Sequence, residues 1–392
     1  MVSATLLGQA ARSCCVMDSL VSTFTSKQGR AWLSRSGQSW MRNVDMVFST
    51  LSSSVNFSGG KVSFSSDASK RRTEVSSGPD WLSITEVIGK ESSSGADFKL
   101  PSEVKLVEVG ARDGLQNEST FVPTDVKVEL IHRLADAGMP FVSPKWVPQM
   151  ADNEAVVKRL KRKPGVSYPA LVPNVQGYKQ ARECGVDEIA IFTTASETFC
   201  KKNTNCDVAT SLKRIEDIMS LALGDGVKVR GYVSCIVGCP YEGFVSPSAT
   251  AKVAKKLYDM GCYEISLGDT IGVGTPGSLV PLVNEVKLHV PVEKLAIHCH
   301  DTYGQALANI LAVMQTGVQI IDCSVGGLGG CPYANGASGN VSSEDVVYLM
   351  AGLGVKTGVD LPKLLEAGDF ICKNIGRKSS SKVASATGAC SS

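Results

Sequence analysis

The sequence predicts an α/β fold, a (β/α)8 barrel followed by a helical extension. From Val104 onward, short apolar runs alternate with amphipathic segments, which indicates parallel strands joined by right-handed helical crossovers. The strands are almost continuously apolar, as expected of a sheet that is buried on both faces. The predicted strands are Val104–Val109, Tyr168–Val172, Glu188–Thr193, Val229–Cys235, Glu264–Gly268, Lys294–His300 and Gln319–Val325.

Seven strands can be assigned in this way, whereas a closed barrel of this class needs eight. We expect the missing strand between Ala137 and Tyr168, where it would be the second along the chain. A final helix over Leu361–Ile375 forms the predicted extension. The helices predicted between strands include Asp125–Ala137, Val208–Leu223, Ala249–Met260, Pro276–His289 and Gly304–Gln315.

The composition is that of a globular enzyme. Hydrophobic residues make up 43% of the chain and charged residues 20%, both ordinary values for a folded domain. A formal net charge of +2 argues against a nucleic-acid partner, and the lack of a long apolar run argues against a membrane span. The 13 cysteines are scattered along a long chain, which favours reduced thiols over disulfides.

The N-terminal part of the chain has a different composition. Residues 1–66 are rich in serine and carry four arginines, but their only acidic residues are Asp18 and Asp45. This pattern is typical of an organellar transit peptide, although a tail without a targeting role would share it. Residues 67–100 continue as a polar linker. We therefore predict a largely disordered extension over residues 1–100 and a barrel with C-terminal helices over residues 101–392.

Polar side chains follow the predicted strands at the points where those strands end. Arg112 and Asp113 follow the first strand, Asp269 follows the sixth, and His298 and His300 end the seventh. The carboxyl ends of barrel strands meet on one face, which is where the active sites of such barrels lie. We therefore expect these residues to converge.

The tripeptide His298-Cys299-His300 is the sharpest local signal. Residues two apart in a strand point to the same face, so the two imidazoles can bind one divalent cation. Asp113 is the natural third ligand, and its carboxylate suits Mg²⁺ or Mn²⁺, while mixed sites also accept Zn²⁺ or Co²⁺. The alternatives are a pair of hydrogen-bonded core histidines and, for Arg112 and Asp113, a surface ion pair. Arg112 could also neutralise an oxygen as it becomes an enolate.

A glycine-rich segment over residues 326–340 follows the last predicted strand. So many glycines predict a mobile loop that can approach a ligand closely. Cys331, at its centre, could act as an acid or base if its pKa is lowered, although most loop cysteines are inert. Asn340 could offer its amide oxygen to the metal, or it could be an ordinary turn residue.

Several motifs together resemble those of the hydroxymethylglutaryl-CoA lyase family. The resemblance covers nearly everything from Val104 to Thr387, and it implies a TIM-type barrel related to homocitrate and isopropylmalate synthases and to the carboxyltransferase domain of pyruvate carboxylase. The segment Cys331–Ala334 separates the lyases from those relatives. The matching segments are Val109–Glu118, Phe141–Met150, Gly231–Cys235, Ser266–Gly272, His298–Ala306 and the Cys331 loop.

The resemblance implies cleavage of 3-hydroxy-3-methylglutaryl-CoA to acetyl-CoA and acetoacetate, a step of leucine degradation and ketone-body formation, by a homodimer in the mitochondrial matrix. Arg112 would bind the substrate and stabilise the enolate, Cys331 would protonate the acetyl-CoA carbanion, and Asp269 would help to move the hydroxyl proton. Lys202 and Asn203 would contact the CoA moiety, unless they belong to a solvated basic turn. The implied ligands of the divalent metal are Asp113, His298, His300 and Asn340.

One segment departs from the family pattern. The family carries a strand that reads roughly Val-Ile/Val-Glu-Ala-Thr-Ser immediately before Phe-Val-Ser-Pro-Lys-Trp, whereas here Gly138–Pro140 runs directly into Phe141. About six residues are missing, which is most of one strand, and they include an active-site glutamate of the family. We expect Gly138–Ser143 to fill the gap or the barrel to stay open. A catalytically impaired isoform and a Claisen-condensing relative are the alternative functions.

Overall fold

The computed structural model describes residues 99–116, 118–143, 153–330 and 338–388. The predicted transit peptide and nearly all of the linker lie outside these residues, so their disorder stays a prediction. The described part contains a curled sheet of eight parallel strands. These are β1 (Lys105–Glu108), β2 (Phe141–Val142), β3 (Ala170–Leu171), β4 (Glu188–Thr194), β5 (Lys228–Ser234), β6 (Glu264–Asp269), β7 (Leu295–Cys299) and β8 (Ile320–Cys323).

The strand order confirms the predicted TIM-type (β/α)8 fold. The sheet runs β2-β1-β8-β7-β6-β5-β4-β3, so every strand from β3 to β8 lies beside its neighbour in the chain. The two edge strands meet where Phe141 forms a parallel bridge with Ser167, immediately before β3. The Val142 backbone N–H donates to the Ser167 carbonyl at 3.0 Å, which continues the sheet across this junction.

The second strand is present but truncated, as predicted. Phe141 and Val142 pair with Val107 and Glu108 of β1, and the Ser143 backbone N–H donates to the Glu108 carbonyl at 3.0 Å. The residues after the sequence gap therefore occupy the place of the missing strand. The third strand is also shorter than predicted, with two residues of regular pairing.

Helices cover the outside of the sheet, and the predicted ones are present with small differences at their ends. They are α1 (Thr124–Asp136), α2 (Asn153–Arg159), α3 (Val175–Glu183), α4 (Glu197–Thr204), α5 (Val208–Gly224), α6 (Pro247–Asp259), α7 (Pro276–Val286), α8 (Ala306–Met314), α9 (Ser343–Gly352), α10 (Leu361–Ile375) and α11 (Lys382–Ala386). A small hairpin that the sequence did not predict pairs Gly238–Cys239 with Gly243–Phe244. None of the helices in the described ranges is both long and apolar enough to cross a bilayer.

The two faces of the sheet carry different side chains. Strand residues such as Ile265, Leu267 and Ile297 pack with the helices in the main apolar core. On the inner face, Arg230 of β5 contacts Glu264 of β6 and Asp322 of β8, so charged groups occupy the centre of the barrel. The nine cysteines in the described residues form no disulfide with one another.

Candidate active site and metal centre

A cavity of about 190 Å³ lies at the carboxyl ends of the barrel strands. Residues far apart in the sequence line it together, because parallel strands bring their carboxyl ends to the same face. The polar residues around it include Arg112, Asp113, Asn203, Tyr232, His298 and His300. The predicted convergence of Arg112, Asp113 and the two histidines is therefore observed.

Asp113, His298 and His300 form a cluster that could hold a metal ion. Each offers one ligand atom, and these atoms all lie within 4.8 Å of one another. The π-helical turn Gly110–Gly114 follows β1 directly and carries Asp113 to this position. The two imidazole centroids are 5.4 Å apart, as the alternation of side chains along β7 predicted.

Asn340 reaches the same cluster from the segment after β8. Its backbone forms an antiparallel bridge with His300, and its Nδ2 donates to Asp113 Oδ2 at 2.9 Å and to the Leu328 carbonyl at 3.1 Å. Its Oδ1 and the Nδ1 of His300 are buried and have no hydrogen-bond partner within the described residues. Such buried acceptor atoms need a partner, which a cation would supply. Two imidazoles, a carboxylate and an amide oxygen therefore fit a divalent cation.

The charges of the cluster also suit a cation. Burial raises the pKa of Asp113, but the charges of Arg112, His298 and His300 and the Asn340 hydrogen bond together lower it to about 2. Burial, assisted by His298 and Arg112, lowers the pKa of His300 to about 4, against the opposing charge of Asp113. Asp113 is therefore ionised and His300 neutral near pH 7, which are the forms that bind metal ions.

Arg112 is buried, with 6% of its surface exposed, which excludes the surface ion pair considered from the sequence. Its Nη1 donates to Asp113 Oδ1 at 2.9 Å, and its guanidinium carbon lies 5.3 Å from the centroid of the Tyr232 ring. Its Nε is buried without a partner in the described residues. The arginine thus borders the cavity beside the candidate metal ligands and retains hydrogen-bonding capacity for an anionic oxygen.

Asp269 ends β6 and is buried, but it is not among the residues that line the cavity. Its Oδ2 accepts a hydrogen bond from the Gly274 backbone at 2.7 Å, and its Oδ1 accepts one from Val273 at 3.2 Å. Burial raises its pKa, although these backbone bonds act in the opposite direction. The carboxylate therefore stabilises the loop that carries Thr270 into the cavity wall. Its catalytic role stays a prediction.

The remaining predicted site residues lie in three different surroundings. Asn203, in the last turn of α4, lines the cavity, whereas its neighbour Lys202 is exposed and does not. Cys331 lies outside the described residues, together with the rest of residues 331–337. Gly330, immediately before Cys331 in the chain, lines the cavity.

The sequence analysis missed the charged groups beneath the cluster. Asp322 of β8 accepts hydrogen bonds from Arg230 Nη1 and Nη2 at 3.1 and 2.7 Å and from Ser266 Oγ at 2.9 Å. The same carboxylate lies 3.2 Å from His298 Nδ1. A charged residue in the middle of an otherwise apolar strand was the available signal, because such a group is rarely buried without a partner.

Two buried glutamates were also missed. Glu108 Oε1 accepts hydrogen bonds from the Gly110 and Val325 backbones at 2.7 and 3.0 Å. Glu344 accepts from the Gly326 backbone at 2.9 and 3.0 Å. Burial raises the pKa of each glutamate to about 7, against their hydrogen bonds. Together they stabilise the short turn Val325–Gly327, from which the glycine-rich segment leaves β8.

Comparison with known proteins is consistent with this site. Residues 103–371 match the HMGL-like family. The mitochondrial hydroxymethylglutaryl-CoA lyase of Rattus norvegicus is 58% identical over 304 residues, which span 76% of this chain and 94% of that protein. The cytoplasmic 3-hydroxy-3-methylglutaryl-CoA lyase of Danio rerio is 59% identical over 295 residues, 74% of this chain and 88% of the relative.

Solved structures give the same result. The crystal structure of hydroxymethylglutaryl-CoA lyase from Pseudomonas aeruginosa superposes with a TM-score of 0.71 at 51% sequence identity, over 73% of this chain and 98% of that one. The range of the family match, residues 103–371, includes all four candidate metal ligands. On its sequence, its fold and its site, the chain belongs to the HMGL-like family of hydroxymethylglutaryl-CoA lyases.

Proposed function

We propose that this chain cleaves 3-hydroxy-3-methylglutaryl-CoA to acetyl-CoA and acetoacetate with the help of a divalent cation. The observation that carries the proposal is the cluster of Asp113, His298 and His300 beside Arg112 at the carboxyl end of the barrel. The relatives named for this reaction support the substrate. The proposed metal is Mg²⁺ or Mn²⁺, because carboxylate and amide oxygens favour hard cations.

The proposed ligands are Asp113, His298, His300 and Asn340. A divalent cation held there supplies positive charge that lowers the pKa of the tertiary hydroxyl of the substrate. As that hydroxyl loses its proton, the bond between C2 and C3 breaks and its electron pair passes to the thioester, which becomes an enolate. The C3 carbon becomes the ketone of acetoacetate.

Arg112 is the group proposed to stabilise the enolate oxygen. A buried guanidinium is worth more to a developing negative charge than an exposed one, because little water competes for the charge. Its position is restrained by the ion pair with Asp113 and by the face of Tyr232. Cys331 is proposed to deliver the proton to the carbanion carbon, and Asp269 is proposed to take part in moving the hydroxyl proton.

The acyl-CoA substrate is expected to extend from the cavity past the end of α4. Asn203 lines the cavity and Lys202 lies beside it on the exposed surface, which suits the polar and anionic CoA moiety. We propose a homodimer as the working assembly. A Claisen-condensing activity is the second enzymatic candidate, but no similarity described above favours it.

The test of function uses the purified full chain in a coupled acetoacetate assay. We expect release of acetoacetate from 3-hydroxy-3-methylglutaryl-CoA with Mg²⁺ or Mn²⁺, and loss of the activity after removal of the cation by a chelator. Parallel reactions contain acetyl-CoA and a 2-oxo acid. Condensation in those reactions, without cleavage in the first, would replace the lyase proposal by a synthase.

The proposed location is the mitochondrial matrix. The rat relative is named mitochondrial and the zebrafish relative cytoplasmic, so the family does not decide the compartment. The basic, serine-rich composition of residues 1–66 supports mitochondrial import. A fluorescent reporter fused to residues 1–66 should enter mitochondria, whereas a diffuse cytosolic signal or plastid import would contradict the proposal.

A further inference from the structure

We infer that Asp322 is a positioning residue that keeps the proton of His298 on Nδ1, so that the lone pair of Nε2 faces the metal. The inference rests on the proposed metal site and extends it to a residue that is not itself a ligand. It concerns the state of the site before any metal binds. It can therefore be tested separately from the lyase reaction.

The His298 ring lies between two carboxylates. Its Nδ1 is 3.2 Å from Asp322 Oδ2, within the barrel interior, and its Nε2 is 3.9 Å from Asp113 Oδ2, within the candidate metal cluster. The histidine side chain is 9% exposed and that of Asp322 is fully buried. The ring is thus oriented from behind by one carboxylate, while its other nitrogen faces the cluster.

The surroundings of Asp322 determine which atom carries the proton. Arg230 directs two N–H groups at the Asp322 carboxylate, and Ser266 directs its hydroxyl at Oδ2. An arginine has only donors, so the carboxylate acts as an acceptor towards it. The short contact with His298 then needs a donor on the imidazole, which places the proton on Nδ1. A carboxylate behind a ligating histidine commonly fixes the tautomer and the ring orientation in this way.

Arg230, which holds Asp322 in place, is itself held by a second carboxylate, that of Glu264. It is completely buried, and its Nε donates to Glu264 Oε1 at 2.5 Å. Glu264 in turn pairs with Lys105 near the amino-terminal end of the barrel. The column therefore runs from His298 through Asp322, Arg230 and Glu264 to Lys105, with opposite charges in contact from Asp322 onward. Such a column leaves Asp322 little freedom to turn away from His298.

His300 provides an internal comparison. Its Nδ1 is buried but has no hydrogen-bond partner in the described part of the chain, in contrast to Nδ1 of His298. The two proposed ligands therefore differ in their relation to Asp322, which hydrogen-bonds His298 but makes no hydrogen bond with His300 in the described part of the chain. A change at Asp322 should alter the tautomer of His298 and leave that of His300 unchanged.

The Asp322→Asn variant tests this arrangement with almost no change in volume. Arg230 donates to both oxygens of Asp322, from Nη2 to Oδ1 at 2.7 Å and from Nη1 to Oδ2 at 3.1 Å, so we expect the amide oxygen to keep the shorter contact and the amide NH₂ to face His298. His298 Nδ1 must then accept a hydrogen bond, and its proton moves to Nε2, where it blocks metal binding. We expect Mn²⁺ affinity to fall about 10- to 100-fold, the usual effect of losing such a partner.

The matched control is Glu188→Gln. Glu188 is another buried barrel carboxylate, but it accepts hydrogen bonds from Ser167 Oγ and Tyr263 Oη and does not touch the metal cluster. It undergoes the same carboxylate-to-amide change. We expect it to leave both the His298 tautomer and Mn²⁺ affinity as they are in the parent chain.

The experiment combines two measurements on the full chain. Nitrogen-15 NMR of the histidine rings in the metal-free protein, at a pH of about 8, reports each tautomer. With only four histidines in the chain, single His→Ala variants are enough to assign the signals. We expect the Nδ1–H form for His298 in the parent chain and the Nε2–H form in Asp322→Asn. Calorimetry with Mn²⁺ then measures the affinity of both variants.

Two results would overturn the inference. The first is an Nε2–H tautomer of His298 in the folded parent chain, which does not depend on Asp322→Asn and so decides the matter even if that variant does not fold. The second is unchanged Mn²⁺ affinity in a folded Asp322→Asn protein. A parent chain that shows the Nδ1–H tautomer but does not cleave 3-hydroxy-3-methylglutaryl-CoA would support the inference and contradict the proposed function.

Discussion

The two sides of the barrel differ sharply in how completely their strands pair. On one side, β4 and β5 pair over seven positions, from Glu188 with Lys228 to Thr194 with Ser234. On the other side, β2 pairs with β1 at two positions and meets the segment before β3 at one bridge. The proposed metal ligands come from β7 and from the segments that follow β1, β7 and β8, and these three strands pair regularly with one another. We therefore expect metal binding to be separable from the truncation of β2.

The largest expected effect is on the well-paired side. Replacement of His298 or His300 by alanine should abolish tight Mn²⁺ binding, with a loss of at least about a hundredfold, because each removes one of four proposed ligands. Calorimetry on the folded variants measures this. His289→Ala, at an exposed position in the turn after α7, is the matched control and should bind Mn²⁺ normally. Unchanged binding in both His298 and His300 variants would refute the ligand assignment.

The second prediction concerns Cys331. The background for this test is a chain with Val-Val-Glu-Ala-Thr-Ser inserted between Pro140 and Phe141, which restores the second strand. In that chain, Cys331→Ala should reduce turnover by at least about a hundredfold, the usual contribution of a placed proton donor. Mn²⁺ affinity should be retained, because the cysteine is not a proposed ligand. Steady-state kinetics and calorimetry on the same preparation separate the two effects. Near-normal turnover would leave Cys331 without a catalytic role.

The third prediction concerns the truncated strand β2. Insertion of Val-Val-Glu-Ala-Thr-Ser between Pro140 and Phe141 should raise the free energy of unfolding by about 3–6 kcal/mol, from two additional buried apolar side chains at about 1.5–3 kcal/mol each. Turnover should also rise, because the insertion returns the carboxylate that the family carries on this strand. Mn²⁺ affinity should change little.

The control for the insertion is an insertion with glutamine in place of glutamate, which should raise the melting temperature equally but not the turnover. Thermal melts and the acetoacetate assay compare the three proteins. Equal melting temperatures for the parent and the extended chain would mean that Gly138–Ser143 fully replaces the strand.

The smallest expected effect is the pH dependence of the free energy of unfolding that Glu108 causes. Burial raises the pKa of Glu108 from 4.5 to about 7, so between these values the unfolded chain loses a proton that the folded chain keeps. This group therefore makes stability fall as pH rises through that window, by at most about 3 kcal/mol, and contributes no slope above it. Urea unfolding of the parent chain and Glu108→Gln across this range should show a flatter profile in the variant. Parallel profiles would contradict the assignment.

Part of the fold and site was predictable from local sequence. Alternating apolar strands and amphipathic helices predicted the barrel, because a parallel sheet with helical crossovers leaves that periodic pattern. The spacing of His298 and His300 predicted a shared face, and the position of Asp113 after β1 predicted convergence with them. The loss of about six residues before Phe141 predicted a shortened second strand, because a barrel strand of ordinary length needs about that many residues.

Only the tertiary structure decided the rest. The sequence left open whether Gly138–Ser143 would fill the gap or the barrel would stay open. Phe141 and Val142 become the second strand because an open edge beside β1 would leave backbone groups without partners. Asp269 stabilises its own loop through backbone hydrogen bonds, which depend on how the chain turns after β6. Asp322 lies 92 residues from Arg230 and 24 from His298, so their contacts exist only once the strands have assembled. Local sequence determines which face a side chain occupies, whereas the closing of the barrel determines what that side chain meets.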